Sequence, residues 1–152
     1  PKGLDMSDEA AWNDLRHLMT TQRLAVLGTD HDGAPYASLV AVVASDELKH
    51  VVFATARDTC KFRNLQTNPK VSLLIDNRNN SEADFNAAMA VTALGMTVVL
   101  DGDELEKWRG RFLSRHPALQ AFVESSDCAL LRVDVTQYRL VRHFQQTEEL
   151  IP

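Results

Sequence analysis

Residues 53–69, F-A-T-A-R-D-T-C-K-F-R-N-L-Q-T-N-P, form the part of this sequence best suited to chemistry. Thr55 and Thr59 supply hydroxyl groups, and the first turn of a helix leaves backbone N–H groups free. A single acid, Asp58, faces a group of basic residues, which are Arg57, Lys61, Arg63 and Lys70. Hydroxyls, cations and free N–H groups together bind phosphate. The segment therefore predicts a phosphate site, and a solvated basic helix face is the alternative interpretation.

The rest of the chain is acidic, which makes this local positive charge notable. The 152 residues carry a formal net charge of −5, which argues against a nucleic-acid partner. No apolar run reaches the roughly 20 residues that cross a bilayer, and the first residues lack the apolar stretch of a secretory signal. We therefore expect a cytoplasmic protein that binds neither nucleic acid nor membrane. The histidines do not share the spacing of a metal motif, so no metal site is predicted.

Hydrophobic spacing divides the chain into short elements of two kinds. Period-2 patterns and β-branched residues predict six strands, at residues 23–29, 36–44, 48–55, 71–76, 87–100 and 132–144. Helical spacing predicts helices at residues 7–21, 59–67, 103–115 and 117–123. Trp108 and Phe112 fall on one side of the third helix and are expected in the core. The polar residues 77–86 are expected to form a loop.

The connections between the strands indicate how the sheet is built. Turn signals at residues 30–33 and 45–47 join the first three strands without intervening helices. This arrangement favours an antiparallel sheet closed into a barrel over a doubly wound parallel sheet. The sequence predicts a mainly β (α+β) protein, with six antiparallel strands and short flanking helices, in one domain covering residues 1–152.

The pattern T-x-x-x-T-x-K-x-x-N-L-x-x-N-P, from Thr55 to Pro69, resembles the phosphate-binding segment of the FMN-binding split barrels. That family includes pyridoxamine 5'-phosphate oxidase. The sequence G-A-P-Y-A-S-L-V, residues 33–40, resembles the family's second strand, which passes along the flavin ring. The resemblance covers residues 7–145. It implies a six-stranded antiparallel split β-barrel with FMN as its cofactor.

Matched position by position, the resemblance also implies which residues hold FMN. Thr55, Thr59 and Lys61 would hold the phosphate. The oxidase has an arginine where this chain has Cys60, and we expect Arg57 to supply that cation instead. The strand residues placed along the ring are Ser38, Leu39 and Val40.

In this family each FMN lies between two subunits, so the resemblance implies a homodimer. The loop at residues 77–86 and the late strand residues Phe144 and Gln145 are expected near the partner's flavin. Ordinary packing at a strand end is the alternative interpretation of Phe144.

The function implied by the resemblance is an FMN-dependent oxidoreductase that acts on a small-molecule substrate, with NAD(P)H or oxygen as its redox partner. A flavin carries the redox chemistry itself, which agrees with a sequence that shows no catalytic triad and identifies no catalytic residue. Pyridoxamine 5'-phosphate oxidase activity is not expected. The segment Arg142-His143-Phe144 is only a loose echo of the oxidase's substrate signature, and the closing R-L-x-P is missing.

Three alternatives remain open at this point. A haem-binding or haem-degrading split barrel would use a histidine such as His143 as its axial ligand. A flavin-binding module without turnover would use the same phosphate site. The deazaflavin F420 would need further cations beyond the phosphate segment, and no second basic cluster is visible along the sequence.

Overall fold

The computed structural model describes residues 6–143 and 145–152, which form seven β-strands, five α-helices and one 3₁₀ turn. In chain order these are α1 Met6–Thr21, β1 Leu24–His31, β2 Ala34–Ala44, β3 His50–Ala56, α2 Cys60–Thr67, β4 Lys70–Asp76, α3 Asp84–Ala87, β5 Ala90–Val99, α4 Gly102–Arg115, the 3₁₀ turn Pro117–Leu119, α5 Gln120–Val123, β6 Cys128–Arg142 and β7 Gln146–Leu150. In this part of the chain no helix is both long and apolar enough to cross a bilayer.

Six of the strands close into an antiparallel barrel in the order β3-β2-β1-β4-β5-β6, with β3 pairing back onto β6. This confirms the predicted six-stranded split barrel with short flanking helices. The seventh strand, β7, pairs with β6 outside the barrel and was not predicted. Its sequence, Q-T-E-E-L, contains one apolar residue, Leu150, which is also the one buried residue of the strand. The sequence therefore lacks the apolar alternation that marks a half-buried strand.

The hairpin between β1 and β2 shows how closely turn chemistry controls the register. The strands run to His31 and resume at Ala34, so the turn contains only Asp32 and Gly33. Their φ angles are 49° and 87°, both positive, as a two-residue type I′ turn requires. The turn predicted at residues 30–33 is therefore present in a tighter form.

Two apolar clusters hold the fold together, one on each face of the sheet. The larger fills the barrel, where Phe53, Leu73 and Leu140 are fully buried and α1 contributes Leu15 and Leu18. The smaller lies outside, where α4 packs against the sheet; its main members are Trp108, Phe112, Val52 and Leu130. This confirms the core position expected for Trp108 and Phe112.

The barrel is incomplete between β2 and β3. The two strands pair only from Val42 to Ala44, opposite residues 51–53. In contrast, β1 follows β2 over residues 34–41. Residues 38–41 of β2 and 54–56 of β3 therefore face each other without a ladder of hydrogen bonds, and we call this opening the β2–β3 cleft.

We expect Gly95→Ala to destabilise the barrel. Gly95 sits at a register shift between β5 and β6, and a Cβ there would lie 2.2 Å from the Asp134 carbonyl oxygen and 2.9 Å from Val133 Cγ1. Because the first neighbour is backbone, the strands must move, at a cost of roughly 1–3 kcal/mol in the free energy of unfolding. Urea denaturation measures this change.

The matched control is Gly110→Ala, in the middle of α4. Nothing lies within 4 Å of its added Cβ, so this variant should stabilise the protein by roughly 0.5–1 kcal/mol. Equal stability of the two variants would show that β5 and β6 approach less closely than described.

Candidate functional site

A cavity of about 420 Å³ opens beside the β2–β3 cleft, and we call it the cleft cavity. One wall is strand β2 at residues 39–41, and the opposite wall runs from β3 into α2. A third, apolar wall comes from α4, the 3₁₀ turn and α5, through Phe112, Leu119 and Phe122. Of the predicted site residues, the cavity brings together Leu39, Val40, Thr55, Thr59 and Lys61.

The two threonines meet where β3 turns into α2. Their Oγ1 atoms are 3.0 Å apart, and the Thr59 hydroxyl donates to the Ala56 carbonyl oxygen at 2.9 Å. Thr59 is also the N-cap of α2, since its Oγ1 accepts from the Phe62 N–H at 3.3 Å. The sequence thus places both hydroxyls at the positive end of a helix, where an anion is favoured.

The charge of the cleft cavity is one-sided. Among the described residues that line the cavity, one is positively charged, Lys61 in the first turn of α2, and none is an Asp or a Glu. Nor does Lys61 pair with a carboxylate within the described part of the chain. A lysine beside two hydroxyls and an apolar wall suits a ligand with an anionic group and a large apolar body.

Arg57 lies next to this cavity and is not part of its lining. Its guanidinium carbon is 5.6 Å from the centre of the Phe62 ring, and its backbone N–H donates to the Asp127 backbone carbonyl oxygen at 2.8 Å. The charge of Arg57 also acts on Cys128. Burial raises the pKa of the Cys128 thiol, and Arg57 and Arg109 partly oppose that rise. Arg57 therefore adds positive potential from outside the cavity.

Asn64 bonds α2 to the barrel; it belongs to the pattern from Thr55 to Pro69, but the sequence assigned it no role. It is only 4% exposed, and its Nδ2 donates to Thr29 Oγ1 at 3.0 Å. Its Oδ1 is 2.9 Å from His31 Nδ1, so that ring nitrogen carries the proton. An asparagine three residues after Lys61 therefore orients the helix that presents Thr59 and Lys61.

The remaining predicted residues lie elsewhere. The Ser38 Oγ is buried without a hydrogen-bond partner among the described residues, on the side of β2 opposite Leu39. Gln145 lines a separate hollow of about 370 Å³ together with Arg78 and Phe85 from the predicted loop. Phe144 lies outside the described residues. Within one subunit, the structure does not bring Gln145 to the cleft cavity.

The apolar wall was missed as part of a site. Phe112 was expected in the core, where it is indeed fully buried, but it also faces the cleft cavity. Leu119 and Phe122 were seen only as part of a helical turn. They lie about 60 positions after Lys61 in the sequence, and no local pattern connects them to it.

Comparisons with known proteins agree with this architecture. A family model described as pyridoxamine 5'-phosphate oxidase matches residues 12–142, whereas no curated protein matches the chain. A haem-binding protein from Mycobacterium smegmatis is similar with a TM-score of 0.80 and 23% identity, over 90% of this chain and 55% of that protein. This chain thus spans about half of that protein's length.

Two other solved structures are matched by this chain over at least 90% of their own length. An FAD-binding protein from Mesorhizobium loti has a TM-score of 0.68 and 19% identity, over 85% of this chain and 90% of that one. A general stress protein 26 relative of the pyridoxinephosphate oxidase family, from Clostridium acetobutylicum, has a TM-score of 0.72 and 16% identity, over 95% and 96%. At these low sequence identities, the structural similarity shows a shared fold. With the family match over residues 12–142, the chain belongs to the pyridoxamine 5'-phosphate oxidase family.

Proposed function

We propose that this protein is an FMN-dependent oxidoreductase that binds FMN in the cleft cavity. The observation that carries the proposal is the composition of that cavity: a lysine and two threonine hydroxyls at a helix N-terminus, an apolar wall, and no carboxylate among the described lining residues. FMN has the matching parts, namely a phosphate and a large aromatic ring system.

The phosphate half of the site follows from local structure. Lys61 would pair with the phosphate, and the hydroxyls of Thr55 and Thr59 would turn from their present partners to donate to its oxygens. The N-terminal end of α2 adds its dipole, and Arg57 adds charge from just outside. Asn64 acts as a positioning residue because it holds α2 against β1.

The ring half of the site uses the β2–β3 cleft. Residues 38–41 of β2 lack a strand partner on the side that faces β3, so their backbone groups can bond the polar edge of the ring. Leu39 and Val40 lie beside them, and Phe122 closes the apolar wall. When bound, FMN supplies hydride or electron transfer, while these residues orient it and exclude water.

The cleft cavity favours a flavin over haem. No histidine belongs to its described lining. Three of the histidines are hydrogen-bonded elsewhere: His116 Nε2 to the Val42 carbonyl, His50 to Asp134 and His31 to Asn64. An iron in the cavity would therefore lack an imidazole ligand from the described residues of the same subunit. Haem remains the competing cofactor because one structural relative binds it.

We also propose that the protein works as a homodimer. An apolar row crosses the outer face of the sheet, where Val26 lies opposite Leu39 on one side and Leu74 on the other. Leu39 is 63% exposed, and Leu24 beside it is 52% exposed. Contiguous exposed apolar residues of this kind mark an interface, and twofold symmetry would let the same face cover itself.

The surroundings of this row support a site shared between two subunits. Leu24 and Leu39 line the cleft cavity and also a hollow of about 430 Å³ on the outer face. That hollow shares Leu74 and Arg78 with the one that contains Phe85 and Gln145. The surface is therefore continuous from the phosphate site to the loop and late segment expected near a partner's flavin.

The substrate is a small molecule that reaches the flavin through the cleft, with NAD(P)H as the proposed electron donor. The open side of the cavity and the absence of acids among its described lining residues favour substrates that are neutral or anionic. Reduction of the bound flavin by NADPH or NADH, followed at its visible absorption band, tests turnover separately from binding.

Lys61→Gln should weaken FMN binding by roughly 1.5–3 kcal/mol, because one charge-assisted hydrogen bond to the phosphate is lost. Riboflavin has the same ring without the phosphate, so its affinity should not change. Quenching of flavin fluorescence during titration gives both dissociation constants.

Arg63→Gln is the matched control for this experiment. Arg63 lies on the same helix, is exposed, and donates to the Asp58 carbonyl oxygen at 3.0 Å, outside the cavity lining. FMN affinity should remain unchanged in this variant. An equal loss in both variants would mean that general positive charge, and not a phosphate site at Lys61, attracts FMN.

Leu74→Glu should dissociate the dimer, since it places a carboxylate within the apolar row, next to Val26. Val98→Glu is the control, because Val98 is 43% exposed, on β5 outside the proposed interface, while Leu74 is 36% exposed. Sedimentation velocity should show monomers for the first variant and dimers for the second. A dimer that survives Leu74→Glu would place the interface on another face.

A further inference from the structure

A second hollow lies across helix α4 from the cleft cavity, and the proposed function does not use it. Its volume is about 350 Å³, and it lies between α1, α4 and the connection from β2 to β3. Three arginines line it, Arg16 from α1 and Arg111 and Arg115 from α4, and we call it the arginine hollow. Arg16 is about 95 residues away from Arg111 and Arg115 in the sequence, so the sequence alone does not show that the three arginines form a cluster.

The charges around the arginine hollow are not balanced. Among the described residues that line it, Asp46 is the one carboxylate, and its side chain is 89% exposed. Asp46 is already paired with Arg111, at 2.8 Å, and that hydrogen bond holds the pKa of the Asp46 carboxyl below its usual value. Among the described residues, Arg16 and Arg115 form no salt bridge with a carboxylate.

The arginines are held in place through only part of their hydrogen-bonding capacity. Arg16 donates to the Asp46 carbonyl oxygen at 2.7 Å, and Arg115 donates to the Gln22 carbonyl oxygen at 2.8 Å. A guanidinium has five N–H donors, so donors remain on both residues. The Arg115 Nε is buried and finds no partner among the described residues.

Arg115 is the arginine of the hollow whose charged form is disfavoured by its surroundings. Burial lowers the pKa of the Arg115 guanidinium, and the nearby charge of Arg23 lowers it further. An anion bound in the hollow would stabilise the charged guanidinium of Arg115 and accept hydrogen bonds from donors that remain on Arg16 and Arg115. The hollow also has apolar wall residues, Met19, Val43 and Leu48, and the neutral polar residues Thr20 and Ser45 complete its lining together with Ala44.

We propose that the arginine hollow binds a small organic carboxylate, with the carboxylate held by Arg16 and Arg115 and an apolar body against Met19, Val43 and Leu48. The inference is independent of the proposed flavin site. The hollow nevertheless adjoins it through α4, because Arg111 faces the hollow and the next residue, Phe112, faces the cleft cavity.

Benzoate is a suitable probe, with benzyl alcohol as the uncharged molecule of the same shape. Isothermal titration calorimetry on the purified protein, with any cofactor it retains, should show one benzoate bound per chain and no binding of benzyl alcohol. Arg16→Gln should weaken benzoate binding roughly tenfold. Thr20→Phe should abolish binding without changing the charge, because Thr20 is exposed and lines the hollow.

Two further variants separate this site from others. Lys107→Gln removes a positive charge from α4 outside the hollow and should leave benzoate affinity unchanged. If Lys61→Gln weakens benzoate and Arg16→Gln does not, benzoate occupies the cleft cavity and the proposal is wrong. Tighter binding of inorganic phosphate than of benzoate would also overturn it, because the apolar wall would then have no role.

Discussion

The ladder of hydrogen bonds between β2 and β3 ends after three residue pairs, and the site depends on that ending. An unpaired strand edge inside a barrel is costly unless other groups satisfy its N–H and C=O groups. Helix α4 and the 3₁₀ turn lie over the opening through Phe112 and Leu119, so no further strand can add there. The opening is therefore a cavity with unpaired backbone N–H and C=O groups of β2 on one side and an apolar wall on the other.

The same opening explains why the phosphate-binding residues lie where they do. Strand β3 leaves its pairing with β2 after Phe53 and continues against β6 to Ala56. Thr55 is therefore held in the sheet near the end of β3, where its hydroxyl meets that of Thr59. The turn that follows starts α2 at Thr59. Asn64 bonds this helix to Thr29 of β1, and this contact helps to orient α2 so that Lys61 lines the cavity.

The sequence predicted the parts of the fold that depend on local rules. Period-2 patterns and β-branched residues identified the six barrel strands, and the turn signal at residues 30–33 identified the hairpin that the structure closes with Asp32 and Gly33. The pattern from Thr55 to Pro69 identified the turn into α2. Interactions between distant segments were not predictable in this way. The polar strand β7 depends on its pairing with β6. The apolar cavity wall depends on α5 packing against α4 and β6, and Phe122 carries no local signal for that packing.

The central claim is that the cleft cavity holds FMN, and the visible absorption spectrum of the purified protein tests it most directly. The protein is mixed with FMN or, separately, with haemin, and passed through a gel-filtration column. The account predicts the double absorption band of a flavin that elutes with the protein at the volume of a dimer. A sharp Soret band after haemin, without retention of FMN, would contradict the account and identify the protein as a haem-binding member of the family.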